Sequence, residues 1–259
     1  MPTDKEIREA KEYILLRLRA ERLAVSELDT ALHTAALRIA EIARRFAIPP
    51  SLFRFSYNPQ LQAEVREVLR SLREAIYATT REICTFPEDG EDSPFTPAVL
   101  TAPDHGKTFR ERIALYTSRW GYEVEAAIAG AGLDGVTDPA EIAEGIDRYI
   151  HDPFRNPWIR DNRGRGEAVR LGPTPHYGKG TAIAAATALD TLLSWVVALA
   201  WTENWSRINS DRAGYFVYRG SSFPCEECDS MVGFHTSPDD LPPYHPHCVC
   251  FAVYTNDIT

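Results

Sequence analysis

Residues 221–254, SSFPCEECDSMVGFHTSPDDLPPYHPHCVCFAVY, hold four of the five cysteines of a 259-residue chain. Cys225 and Cys228 form a C-x2-C pair, sixteen residues separate Cys228 from His245, and H-x2-C-x-C then adds Cys248 and Cys250. This is the spacing of a metal site: a tight turn aims two thiolates at one ion, and a distant second group closes a tetrahedron around zinc. A short, loop-rich segment has little core, so the metal would supply folding free energy that apolar burial cannot. Five candidate ligands compete for four positions. Either the four cysteines bind, or three of them bind with His245. Both sets stay open, because Pro246 interrupts any strand pattern and leaves the direction of His245 unset. An extended end puts Cys248 and Cys250 on one face and turns His247 away. His235 reads as an exposed loop residue.

Upstream, GYFVYRG at 214–220 is short, aromatic and β-branched and predicts a strand leading into the cysteines. AIAAATALDTLLSWVVALAW, residues 182–201, is long enough for a bilayer. Asp190 near its middle and its alanine-rich composition favour a buried helix extending to about Arg207 instead, and no membrane contact is expected. Residues 151–181 form a long irregular segment where Arg155, Arg160, Arg163, Arg165 and Arg170 oppose the acidic average. They offer a local DNA or phosphate contact, against the plainer reading of a solvated loop. Helices are expected near 138–150, opening with Asp138 and Pro139, and near 107–130.

Residues 87–106 have the proline, glycine and acidic content of a linker, separating an amino-terminal helical region, 1–86, from a domain over 107–259 whose tail spans about 214–252. Within 1–86, Thr3 and Glu6 fit a capping box for a helix to about Val25 whose apolar positions are Ile7, Tyr13, Ile14, Leu18 and Leu23. Ser26 is a cap for a second helix carrying Leu28, Leu32, Ala35, Ile39, Ile42 and Phe46, ended by Pro49 and Pro50. Leu61, Val65, Val68, Leu72, Ile76 and Ile83 give one stripe on a third, over about 59–83. Cys84 closes that stripe as a small core residue. The fold class is therefore mainly α: a helical body with a small C-terminal α+β zinc-knuckle module.

With 44% hydrophobic residues the chain can build a core, and a net charge of −9 argues against a surface made to coat nucleic acid or anionic lipid. The charged amino terminus does not read as a secretory signal, and five cysteines are no disulfide framework, so a reducing cytoplasm is expected. GPTPHYGKGT misses a phosphate-binding loop: five residues separate Gly172 from Gly178, and Gly180 follows Lys179. The pairs Glu226/Glu227 and Asp239/Asp240 read as surface and turn residues, and no catalytic residues are assigned.

The segment FVYRGSSFPCEECDSMVGFHTSPDDLPPYHPHCVC resembles the carboxy-terminal module of the phage Mu F-like minor head proteins, or phage head morphogenesis proteins. There a strand precedes C-x2-C, an aspartate and glycine turn follows, and P-P-x-H-P-x-C-x-C closes the module. The matching positions are Cys225, Cys228, Asp229, Gly233, Pro242, Pro243, His245, Pro246, Cys248 and Cys250. Upstream, where the family carries an A-R-T-E-like helix, Thr202, Glu203 and Asn209 match, with Trp201 in place of the arginine. The resemblance covers about 180–252 and none of the first 130 residues. It implies a minor virion component associated with portal or capsid and needed during capsid assembly or early DNA delivery, in host cytoplasm and virion, with no agreed catalytic activity. The rival from the residues alone is a metal-dependent nuclease or toxin domain of HNH type, with the arginine segment gripping phosphates. Only nine residues follow Cys250, and none is the downstream histidine such a site needs.

Overall fold

A computed structural model of the chain describes residues 1–88, 93–104, 106–151 and 185–256, and the side chains of 148–151 lie outside that description. The arginines at 155, 160, 163, 165 and 170, and the glycine-rich stretch after them, lie outside the described residues. The protein is mainly α-helical with a small antiparallel sheet near the C-terminus, as the sequence predicts. Its helices are α1 (Asp4–Arg44), α2 (Pro59–Ile83), α3 (Phe109–Leu133), α4 (Pro139–His151), α5 (Ala185–Ile208) and the short α6 (Glu226–Ser230). The strands are β1 (Gly214–Tyr218), β2 (Gly233–His235) and β3 (Phe251–Thr255).

The chain divides into two compact units, each assembled from separate stretches of sequence. The second unit comprises Ser26–Thr79 and Arg110–Asp190. Its apolar stripes are buried as their spacing requires: Leu28, Leu32 and Ile39 on α1, Leu61, Val65, Val68 and Leu72 on α2, and Trp120 and Val124 on α3. A Cβ on Gly121 would stand 2.9 Å from Leu69, so α3 approaches α2 closely there. Arg73 ties the same pair by donating to the hydroxyls of Thr117 and Ser118, both at 2.8 Å. Asn58 caps α2, its side-chain oxygen accepting from the N–H groups of Gln60 and Leu61, and Asp138 accepts from Ala140 at the start of α4.

The first unit comprises Met1–Val25, Thr80–Phe109 and Thr191–Thr259. The expected Thr3/Glu6 capping box is present: the Thr3 N–H donates to the Glu6 carboxylate at 2.7 Å and the Glu6 N–H to the Thr3 hydroxyl at 3.3 Å. Two expectations for this helix are overturned. Ser26 starts no second helix, because α1 runs unbroken for 41 residues; nothing between 20 and 44 is glycine or proline, and the Ser26 carbonyl accepts from the Thr30 hydroxyl one turn on. Nor is the expected apolar stripe the buried face: Ile7, Tyr13, Ile14 and Leu18 are only half-buried and Leu23 is exposed, while Ala10, Arg17, Ala20, Glu21 and Ala24 are buried.

The sheet order is β2-β1-β3, both pairings antiparallel, with Tyr215 opposite His235 and Tyr254. Period-two alternation sends Tyr215, Val217, Ala252 and Tyr254 into one cluster with Cys228, Cys248 and Cys250, against Trp205 of α5. Trp205 donates its indole N–H to the Ala252 carbonyl at 2.9 Å and stacks on Tyr13, ring centres 4.3 Å apart. α5 is long and apolar enough to cross a membrane, yet Leu189, Leu193, Val196, Val197 and Ala200 along it are buried within the protein. Cys84 is fully buried, and burial pushes its thiol up to about 12.

Candidate metal centre

Cys225 occupies the N-cap of α6, with the Asp229 N–H donating to its carbonyl at 2.8 Å. One helical turn therefore brings the Cys228 side chain to the same end as Cys225. Arg219, just past β1, holds this turn by donating to the Asp229 carboxylate and to the Phe223 carbonyl. On the other side a turn closes between His245 and Cys248, whose N–H donates to the His245 carbonyl at 3.1 Å. His247 takes a left-handed conformation there, φ 62°, and is exposed, as expected of a residue that is no ligand. The chain then enters β3, carrying Cys250 in beside Cys248. Gly220 permits the two sides to meet, since its backbone lies directly against the Val249 carbonyl.

All five predicted ligands converge. The Cys228 sulfur is 3.7 Å from that of Cys248, and His245 Nε2 is 3.1 Å from the Cys228 sulfur and 3.4 Å from that of Cys225. Cys228, Cys248 and Cys250 form a second close triad sharing Cys228 with the first, every donor pair within 4.8 Å. A tetrahedral ion with metal–sulfur bonds near 2.3 Å and metal–nitrogen bonds near 2.0 Å needs donor separations of about 3.5–3.8 Å. The cluster can hold a metal ion with only small movements of its side chains. No disulfide joins the thiols.

The environment suits that use. His245 Nδ1 lies 2.9 Å from the Pro246 carbonyl, which makes Nδ1 the protonated nitrogen and leaves the lone pair on Nε2, the atom facing the sulfurs. Hydrogen bonding from Cys250 pulls the Cys248 thiol down to about 5, and the same contact drives Cys250 up. Burial pushes Cys228 up to about 12, while the Cys228 backbone N–H holds Cys225 down. Burial works against a charged His245, but the Pro246 carbonyl and the Cys248 and Cys225 sulfurs outweigh it and raise the ring's pKa. A divalent ion would take the place of the thiol protons there.

His235 corrects the loop reading. It lies in β2, with Nε2 2.9 Å from the Met231 carbonyl, Nδ1 3.3 Å from Asp240 and its ring stacked on Tyr215. It braces the segment between the two ligand groups. Glu226 and Glu227 stand exposed on α6, and Asp239 and Asp240 sit in a 3-10 turn capped by Ser237, in keeping with surface and turn roles.

Thr202 donates to the Pro242 carbonyl at 2.8 Å, Glu203 accepts from the Ala98 N–H at 2.9 Å, and Asn209 donates to the Trp205 carbonyl at 2.9 Å. Trp201 packs between Tyr13 and Phe86. Sequence reasoning missed Arg17 and Glu21, an i, i+4 pair that ordinarily marks a solvated helix face. In the fold Arg17 donates to the Cys248 carbonyl. A cavity of about 20 Å³ beside Arg17, Trp205 and Cys250 has room for about one water, too little for an organic substrate.

Comparison with protein-family models, with curated proteins and with solved structures finds no match for this chain.

Proposed function

We propose that this is a structural minor head protein of a phage or prophage, docking on portal or capsid, with a structural zinc ion in its tail. The observation that carries the reading is the convergence of C-x2-C and H-x2-C-x-C behind a strand, in the order and with the turn residues of the Mu F-like tail. Thiolate and imidazole donors at tetrahedral separations favour zinc among the common divalent ions. Five protein groups crowd the position, three of them buried cysteines, which suits a closed structural site better than a catalytic one with an open place for substrate. Host cytoplasm and virion are the corresponding locations.

The nuclease reading has less support. His245 has one ring nitrogen against the Pro246 carbonyl and the other against the sulfurs, so neither is left to act as a base. Co-purification tests the proposal. Expressed with the portal and capsid subunits of its own locus, the protein should associate with one of them and carry one zinc per chain. Failure to associate with any of them would refute the capsid role. Magnesium- or manganese-dependent plasmid cleavage lost in His245→Ala or His247→Ala would put the nuclease in its place.

A further inference from the structure

Two charged side chains lie in the interior of the first unit. Arg17 and Glu21 of α1 are 2% and 7% exposed and form an ion pair at 3.0 Å. Burying such a pair is costly, and apolar residues of the same volume often stabilise a fold as well or better, so its presence calls for another reason. The reason lies at the guanidinium's Nη2. Arg17 Nη2 donates to the carbonyl of Cys248, a buried ligand candidate 231 residues along the chain. Three or four thiolates around one divalent ion leave a net charge of −1 or −2. A planar, permanently charged guanidinium with the Glu21 carboxyl 3.0 Å from its Nε can hold a ligand's backbone and offset that charge together.

We propose that Arg17 is a positioning residue of the metal centre, fixing the Cys248–Cys250 segment through the Cys248 carbonyl and balancing thiolate charge, with Glu21 orienting it. The inference rests on the metal reading of the cysteine cluster. It places α1, which the resemblance does not reach, in the outer shell of that centre, so that metal binding and the packing of the amino-terminal helix strengthen each other.

The test uses the full chain under reducing conditions, loaded with cobalt(II), whose thiolate charge-transfer absorption reports the ligand sphere, and titrated with a competing chelator. Arg17→Met should bind one cobalt but about 10–100-fold more weakly, the range typical of lost outer-shell partners. Arg17→Lys, which keeps the charge without the fork, should lose severalfold. Tyr13→Phe removes hydroxyl hydrogen bonds to the Trp201 carbonyl and Asn204 on the same helix; it should lower the melting temperature and leave cobalt affinity unchanged. Arg17→Met binding as tightly as the native chain would overturn the proposal and leave the metal reading standing. So would Tyr13→Phe weakening cobalt as much as Arg17→Met, since the effect would then be general destabilisation. If Arg17→Met does not fold, Arg17→Lys decides alone, and native affinity there overturns the proposal. No cobalt uptake by the native chain would remove the metal reading and this inference together.

Discussion

At Gly220 an added methyl group would collide with the Val249 carbonyl, backbone against which nothing can swing aside. Val249 lies between Cys248 and Cys250, so relief of the collision falls on two of the metal-ligand candidates. Gly220→Ala should therefore cost about 1–3 kcal/mol of stability, as overpacking does, and also weaken metal binding. Unchanged chelator resistance in a destabilised variant would sever the link between the two. Glu125 in the second unit tests a different force. Its carboxylate accepts the Phe55 N–H at 2.6 Å and lies 3.7 Å from Arg54, yet burial outweighs both and raises its pKa. An acid whose folded pKa exceeds its unfolded value keeps its proton longer when folded. Stability is therefore greatest below the ordinary carboxylate range and falls as pH rises through the raised value. Glu125→Gln keeps the acceptor and discards the charge. Its stability relative to the native chain should improve between about pH 4 and about pH 8, carboxylate to neutral range. A difference that is the same at both ends would show that the carboxylate ionises freely.

Among the elements, α1 offers the sharpest test, because two readings of one stretch predict opposite results. If Ser26 were a helix cap, Glu27 would be a first helical position, where proline is tolerated. In the unbroken helix Glu27 is exposed and interior to the element. Proline there removes a backbone hydrogen bond and clashes with the preceding turn, so Glu27→Pro should cost about 3 kcal/mol or more. A change in unfolding midpoint close to zero would restore two helices. The elements that could be read from sequence were those with local punctuation: Pro59 and Asp138–Pro139 mark starts that the structure keeps, and α2 buries Leu61, Val65, Val68, Leu72 and Ile76 as expected, although Ile83 is half-buried and the buried line passes through Thr80 to Cys84. Ser26 misled because serine signals a cap only where the chain before it stops being helical, and no residue near it forces a stop. The five ligand candidates could be found because their spacing is itself the geometric constraint. Arg17 could not, since its partner is 231 residues away and an i, i+4 charge pair looks solvated in sequence. His235 became a strand residue for a similar reason: pairing with β1, not local pattern, makes β2.

At the scale of the whole molecule, the metal-ligand candidates all fall in one of the two units. Cys225, Cys228, His245, Cys248 and Cys250 belong to the first, together with the sheet and Trp205 that cover them, while the second has its own buried stripes on α2 and α3. A ligand that binds only the folded form stabilises what it binds by RT ln(1 + [L]/Kd), about 4 kcal/mol at a thousand times Kd. That stabilisation should act on the first unit. Removing metal with a chelator under reducing conditions should therefore deprotect the amides of Gly214–Tyr218 and Phe251–Thr255 in hydrogen exchange. Protection of residues 61–76 and 113–128 should persist, because their burial involves none of the cysteines. Equal loss in both regions would mean that the ion supports the cooperative fold of the entire chain. Unchanged exchange in the strands would mean that Tyr215, Val217, Ala252, Tyr254 and Trp205 hold the sheet without it, and that the cysteine cluster contributes to something other than stability.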